Sequence, residues 1–210
     1  MKRNIFYKIY NRTYKIWTPF RIIRNSILIW RYPWLAVRDC KTGKIHKTSV
    51  WTTPHNGGWN KAFFFPMMEE IRKVAKKDGV LHTLRTDDYK SKYGGLRFYV
   101  SGNSEDVQEI ISEYECLSEY ICEFCGEPDV GSTKGWITPI CKKCYKKFYN
   151  NTRSYDECVG SGRMPDFHVF KRASNEEWKE YSIDIRDKAN KIRKRWNRWH
   201  PNRRKEYAKY

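Results

Sequence analysis

Between Ile121 and Cys144 the sequence reads "ICEFCGEPDVGSTKGWITPICKKC", and no other stretch limits the possible fold as strongly. Cys122 and Cys125 form one C-x-x-C, fifteen residues pass, and Cys141 and Cys144 form a second. This is the spacing of a four-thiolate zinc site, because each C-x-x-C turns the chain tightly enough to bring two sulfurs to one ion. Gly126 follows the first pair, where a residue free to take positive φ lets the knuckle close. "GWITPI" is expected to enter the second knuckle as a short strand. Four thiolates fill a tetrahedron, whereas a catalytic zinc keeps one position open beside three protein ligands. The expectation is a structural Zn2+ held by Cys122, Cys125, Cys141 and Cys144. A redox C-x-x-C of the thioredoxin kind calls instead for one pair opening a helix in a βαβ setting. Cys158 and His168 are available as substitute ligands, but the spacing does not recommend them.

The chain holds seven cysteines, an odd number, which favours a reducing compartment and metal-bound thiolates over a disulfide framework. Cys40, Cys116 and Cys158 read as packing thiols, since a reactive one needs a local cause for a lowered pKa. A length of 210 residues allows one real core with a small appended module, and 16% aromatic content supplies the apolar surface. The longest apolar run of the N-terminal region is Ile27-Leu28-Ile29-Trp30, far short of the roughly 20 residues of a spanning helix. No continuous apolar stretch with a cleavage site marks a secretion signal, so a cytoplasmic location is expected.

The net charge of +18 is unevenly placed. Residues 1–38 hold nine basic side chains, Arg21 and Arg24 among them, and no acid. Residues 186–210 hold eleven basic side chains against Asp187 and Glu206. The stretch between carries twenty-two of each sign. Excess charge gathered at two ends of a neutral middle reads as an electrostatic footprint for a polyanion.

Helical spacing recurs along the chain. Phe20, Ile23, Ile27 and Trp30 form one stripe, with Pro19 separating it from an earlier turn or helix carrying Ile5, Ile9 and Ile16. "RYPWLAVRDCKTGK" reads as extended, with turn chemistry at "KTGK". Phe63, Met67, Ile71 and Val74 predict a helix over 59–77, kinked or started at Pro66 and ended by Gly79. Residues 83–92 and 96–101 predict a β-hairpin turning at Gly94-Gly95. Ser104, with Glu105 and Asp106 behind it, caps a helix presenting Val107, Ile110, Ile111, Tyr114 and Leu117. Ser174 with Glu177 is a capping box opening a long helix with the stripe Trp178, Tyr181, Ile185, Ala189, Ile192, Trp196 and Trp199. The predicted class is α+β: a small β-hairpin packed by helices, a four-cysteine zinc ribbon and a long basic C-terminal helix. The expected divisions are a basic helical extension (1–38), an α+β core (39–120), the zinc ribbon (121–147), a linker (148–173) and the basic helix and tail (174–210).

Several of these residues recur together in a further pattern. They are Tyr32, Pro33, Thr42 and Gly43; then Gly58, Trp59, Lys61, Ala62, Phe63, Glu69 and Glu70; then Lys90, Lys92, Tyr93, Gly94, Leu96, Arg97, Phe98 and Tyr99. Last come Cys122, Cys125, Gly126, Trp136, Ile137, Pro139, Cys141 and Cys144. In this order they resemble a family of phage and prophage proteins, found also in some bacteria, to which no activity is attached. The resemblance covers roughly residues 30–147 and implies a phage or phage-derived origin and a compact α+β unit ending in a zinc ribbon. The basic ends lie outside it, so this chain differs from the pattern where its charge is richest.

The leading functional expectation is a non-enzymatic nucleic-acid-binding protein. Trp196 and Trp199 interleave with Arg193, Lys194, Arg195, Arg198, Arg203 and Arg204, a mixture that can stack bases while tracking a phosphate backbone. Docking onto the core is the other role open to the two tryptophans. A host protein or ribonucleoprotein machine (a polymerase, a ribosome, a defence complex) is a second class of partner. A Mg-dependent nuclease is a third reading, drawn from Asp78 with Asp88-Tyr89-Lys90, or from His200-Pro201-Asn202. Ordinary surface charge accounts for those residues better. A fourth places the 20–30 stripe on an anionic membrane, although packing of that stripe on the protein's own core is the favoured reading. His46, His55 and His82 are scattered and support no nucleophile–base pair.

Overall fold

The computed structural model describes residues 18–52, 57–128, 130–149 and 176–199. The segment carrying Ile5, Ile9 and Ile16, the 148–173 linker beyond Tyr149, Ser174 of the capping box, and His55, Cys158, His168, His200, Arg203 and Arg204 lie outside the described residues. So do the side chains of Trp178 and Tyr181.

The described chain is α+β, with five helices and three separate two-stranded antiparallel sheets. Helix α1 spans 18–31 and is followed by a 3₁₀ turn, Pro33–Leu35. Strand β1 (Ala36–Arg38) then pairs with β2 (Ile45–Val50). Their connection is organised by Asp39, whose carboxylate accepts from the Lys41 and Thr42 backbone N–H groups at 3.0 and 2.7 Å. Those bonds hold Asp39 ionised below the usual carboxylate range.

A π-turn, Asn60–Phe64, runs directly into α2 (Phe65–Lys77). Pro66 explains this transition. It has no N–H to offer the preceding turn and its ring needs room there, so the chain widens before the regular helix begins. Gly79 ends α2 with φ +73°, as its position predicts.

The central hairpin pairs β3 (Arg85–Lys92) with β4 (Gly95–Ser101). Its turn lies one residue earlier than predicted. Lys92 pairs with Gly95, and the two turn residues are Tyr93 and Gly94, at φ +52° and +77°. Positive φ at both positions is what a two-residue hairpin turn matching strand twist requires. Gly95 is in the ladder instead, where a Cβ would lie within 3.0 Å of Arg97 Nη1 and Glu119 Oε1. Helix α3 (Glu105–Ser118) starts at the predicted cap, with Ser104 Oγ accepting from Val107 N–H. Its side chains also finish the hairpin's edge: Leu96 N–H donates to Ser118 Oγ and Phe98 N–H to Glu115 Oε1, both at 2.7 Å. A buried strand edge would otherwise leave those donors unsatisfied.

The core gathers Trp34, Leu35, Trp59, Phe63, Met67, Ile71, Leu96, Phe98, Ile111 and Tyr114, all almost fully buried. Trp59 also ties this body to the start of the cysteine region, donating Nε1–H to the carbonyls of Ser118 (3.1 Å) and Ile121 (3.0 Å). The last described helix, α5 (Glu176–Trp199), adds Ile185, Ala189 and Ile192 to the same core.

One expectation is overturned at the N-terminal side. Phe20, Ile23, Ile27 and Trp30 are 58–80% exposed, so this stripe does not pack on the core. At about 100° per residue the four centre on the side of α1 opposite Asn25. Asn25 is the buried residue, donating its Nδ2–H to the Lys47 carbonyl of β2 at 3.1 Å. Cys40 is exposed, and so is no packing thiol. Cys116 is partly buried, and burial pushes its thiol up to about 11, consistent with an inert packing role.

Candidate metal centre and the basic cleft beside it

Two very short strands, β5 (Gly131–Ser132) and β6 (Pro139–Ile140), and the seven-residue helix α4 (Lys142–Phe148) carry the second half of the cysteine region. "GWITPI" is a strand only in its last two residues. Trp136 is 84% exposed and Ile137 stands partly out, at the tip of a loop closed by Thr133 and Thr138. Thr133 N–H donates to the Thr138 carbonyl at 3.0 Å, and Thr138 N–H returns to Thr133 Oγ1 at 2.9 Å.

The four sulfurs converge. Those of Cys122, Cys125, Cys141 and Cys144 all lie within 4.8 Å of one another, and Cys125 Sγ is 3.7 Å from Cys141 Sγ. That gap is far beyond the roughly 2.05 Å of a disulfide. It matches the edge, about 3.8 Å, of a tetrahedron built on zinc–sulfur bonds of about 2.3 Å. The four cysteines can therefore hold a metal ion.

Each knuckle is shaped by backbone bonds. Gly126 sits at φ +85° and donates its N–H to the Cys122 carbonyl at 2.8 Å. Cys141 is the N-cap of α4, its Sγ accepting from Cys144 N–H at 3.4 Å. Hydrogen bonds from Cys125 and Cys141 hold the Cys122 thiol far below its ordinary value, the same bonding drives Cys125 far up, and burial pushes Cys144 to about 12. A bound divalent ion would favour the thiolate at each of the four cysteines.

The knuckles lean on the body through two glycines. Gly58 N–H donates to the Glu123 carbonyl at 2.9 Å, and a Cβ on Gly58 would lie 2.3 Å from the Cys122 carbonyl oxygen. A Cβ on Gly126 would lie 2.6 Å from the Gly58 oxygen.

Beside the four cysteines lies a cleft of about 600 Å³, walled on one side by the knuckles and α4 and on the other by α5. Its lining includes Lys61, Lys143, Lys147 and Arg195, together with Phe124, Phe148, Trp196 and Trp199. Phe124 and Phe148 stack with ring centres 4.5 Å apart, and Lys147 Nζ stands 5.1 Å from the Phe148 ring centre. Glu127 is the one acid in the lining and is buried.

Of the residues predicted to meet nucleic acid, Arg195, Trp196 and Trp199 line this cleft, Trp196 half-buried and Trp199 73% exposed. Arg193, Lys194 and Arg198 occupy other positions around the same end of α5, Lys194 and Arg198 exposed. Arg21 and Arg24 belong to α1 and do not line it; Arg24 donates to Asn25 Oδ1 at 3.1 Å. Lys61, Phe124, Lys143, Lys147 and Phe148 were not foreseen. The alternation of lysine and aromatic residues in "CKKCYKKFY" was the available signal.

The proposed nuclease residues are held locally. Asp88 pairs with Lys90, whose charge that bond favours, and Asp78 accepts from Ser104 Oγ at 2.6 Å. Among the described residues, the cysteine set is the group of three or more potential ligands close enough to share an ion. No helix of the described residues is long and apolar enough to cross a membrane. Compared with protein-family models, curated proteins and solved structures, the chain matches none.

Proposed function

We propose that this chain is a non-enzymatic zinc-ribbon protein that binds nucleic acid, its zinc serving architecture and its basic surface doing the binding. The observation that carries the reading is the cleft, where four cationic side chains and four aromatic ones meet against a single buried acid. The metal set supports the architectural half: four thiolates complete a tetrahedron and leave no position for a substrate or water. The placement of charge in the sequence supports the other half, since the excess of +18 belongs to the two ends. The 121–147 ribbon, the phage or prophage context and the cytoplasmic location belong to the same proposal. A host ribonucleoprotein would present the same phosphates.

Counterion release gives the test. If about four phosphates of a single strand are neutralised, affinity for mixed-sequence DNA or RNA falls about 50-fold between 50 and 200 mM salt. Fluorescence anisotropy across a salt series measures this, and binding that stays flat with salt excludes the reading.

A second reading has its own observation, the exposed stripe of α1. Phe20, Ile23, Ile27 and Trp30 are exposed, with Arg24 along one edge and no acid in residues 1–38; Arg31 on the same edge is already paired with Glu69 of α2. An interfacial helix on an anionic membrane has this composition. The expected result is co-sedimentation with phosphatidylserine vesicles, lost on Ile23→Asp with Ile27→Asp. Equal recovery with neutral phosphatidylcholine vesicles would count against it.

A further inference from the structure

The cleft's shape says more than its charge. Resting on the nucleic-acid reading above, we infer that it is a single-strand site, gripping unpaired bases between the knuckle wall and α5 while lysines at its rim hold the backbone.

Four observations lead there. First, the two walls offer aromatic faces of different exposure. Phe148 is half-exposed and is braced from behind by the stacked Phe124, so its ring is held in place before any ligand arrives. Second, Ile192, Arg195, Trp196 and Trp199 follow the i, i+3, i+4, i+7 pattern and so share one side of α5. Along that side burial grades from Ile192 in the core, through half-buried Trp196, to Trp199 at 73% exposure. The cleft thus has an apolar floor and an open aromatic mouth. Third, the cations are arranged around the rings: Lys147 stands over Phe148, Lys143 lies on the same helix, Arg195 comes from α5 and Lys61 from the π-turn. A base stacked on Phe148 or Trp199 would have its phosphates within reach of lysine or arginine on both walls. Fourth, about 600 Å³ is the volume of a small-ligand cleft.

Duplex DNA keeps its bases stacked on one another and can meet this site only through its backbone. A single strand can unstack a base into the opening, and base–aromatic stacking tolerates any sequence because every base has a π-face. An acidic peptide would satisfy the cations but would leave the aromatic walls without a partner of matching shape. The occupant that uses both halves of the lining is single-stranded DNA or RNA.

The experiment compares a fluorescein-labelled 12-nucleotide mixed-sequence single strand, as DNA and as RNA, with the matched duplex at 50 mM salt. The protein is the full chain purified in zinc-containing buffer. The single strand is expected to bind at least about ten-fold more tightly than the duplex. Trp199→Ala and Phe148→Ala should each weaken single-strand binding about 5- to 150-fold, from the worth of one stacked base, while changing duplex binding less than about two-fold. Trp199→Phe should keep most of the affinity, and single-strand binding should quench tryptophan fluorescence. Trp199 is largely exposed, so its truncation leaves the core intact, and an unchanged thermal midpoint verifies that. Salt-sensitive binding with equal affinity for strand and duplex, unmoved by either truncation, overturns the single-strand site but leaves the nucleic-acid reading standing. No binding to either form at 50 mM salt overturns both. Displacement of the strand by poly-glutamate as readily as by unlabelled strand would make the cleft an acidic-protein site and overturn the inference.

Discussion

Cys125→Ser, or a chelator strong enough to strip a four-thiolate site, is expected to unfold the region from Cys122 to Tyr149. The protein as purified should carry about one equivalent of zinc, and the variant none. Within the region itself, little else holds it together. Its buried cluster is Cys122, Val130, Ile140, Cys141, Cys144 and Tyr145, half of it the ligands themselves. Strands β5 and β6 are two residues each, and α4 has seven residues, well below the length at which an isolated helix persists. Structural zinc in comparable small units contributes about 10–16 kcal/mol of apparent binding free energy near neutral pH, which exceeds anything this cluster supplies by burial. The pH dependence has a definite sign. Every ligand must be a thiolate, so binding releases protons and the site weakens as pH falls. Metal analysis, circular dichroism and limited proteolysis before and after chelation check the result. A metal-free protein with unchanged spectrum and no new cleavage between 121 and 149 would show that the ion is not what holds the knuckles.

The second large effect lies under α5. Lys188 hydrogen-bonds Glu113 and lies 3.1 Å from Glu70, with the Tyr114 ring centre 5.5 Å from its Nζ. Tyr114 donates its hydroxyl to Glu70 at 3.0 Å. The Lys188 side chain is only 12% exposed and that of Glu113 only 3%. Burial opposes the ammonium charge, but the hydrogen bond and attraction of Glu113, helped by Glu70, outweigh it and raise the Lys188 pKa. Removing the lysine leaves two acids from α2 and α3 facing each other with no cation between. Lys188→Ala is therefore expected to cost about 3 kcal/mol, a fall in Tm of about 6–12 °C for a chain of this size. Because the folded pKa is raised, the contribution is complete below the ordinary lysine value and is lost only as pH rises through the higher folded one, so the penalty should be constant between about pH 6 and 9. Adding Glu113→Gln to Lys188→Met should recover much of the loss. A Tm change under about 2 °C in the alanine variant would mean that the apolar contacts of Ile185, Ala189 and Ile192 hold α5 alone.

Much of the fold was legible because its signals are local. The spacing of Phe63, Met67 and Ile71, the Ser104 cap, and the run Ile185, Ala189, Ile192 each mark a helix and its inward side within a few residues. The cysteine spacing likewise implies four converging sulfurs from two short motifs alone. What was missed depends on distant partners. Strand β2 carries no period-two signal, because nearly every residue of "IHKTSV" is exposed and no alternation is required. The periodicity of α1 identifies an apolar side without saying which side faces in. There the polar Asn25 is buried, because the β2 carbonyl of Lys47 accepts its amide. The cleft is built from residues near 61, 124, 147 and 199, so only the docking of α5 beside the knuckles creates it.

The contact between Gly58 and the first knuckle bears on how such a protein can be rearranged. Peptide meets peptide there, with no side chain to absorb a misfit, and each strand of the seam is cut to the other's outline. The four-cysteine unit is thus no cassette to be lifted out and grafted onto an arbitrary host. A recipient would have to supply its own glycine, at the mouth of its own helix, before the graft could seat.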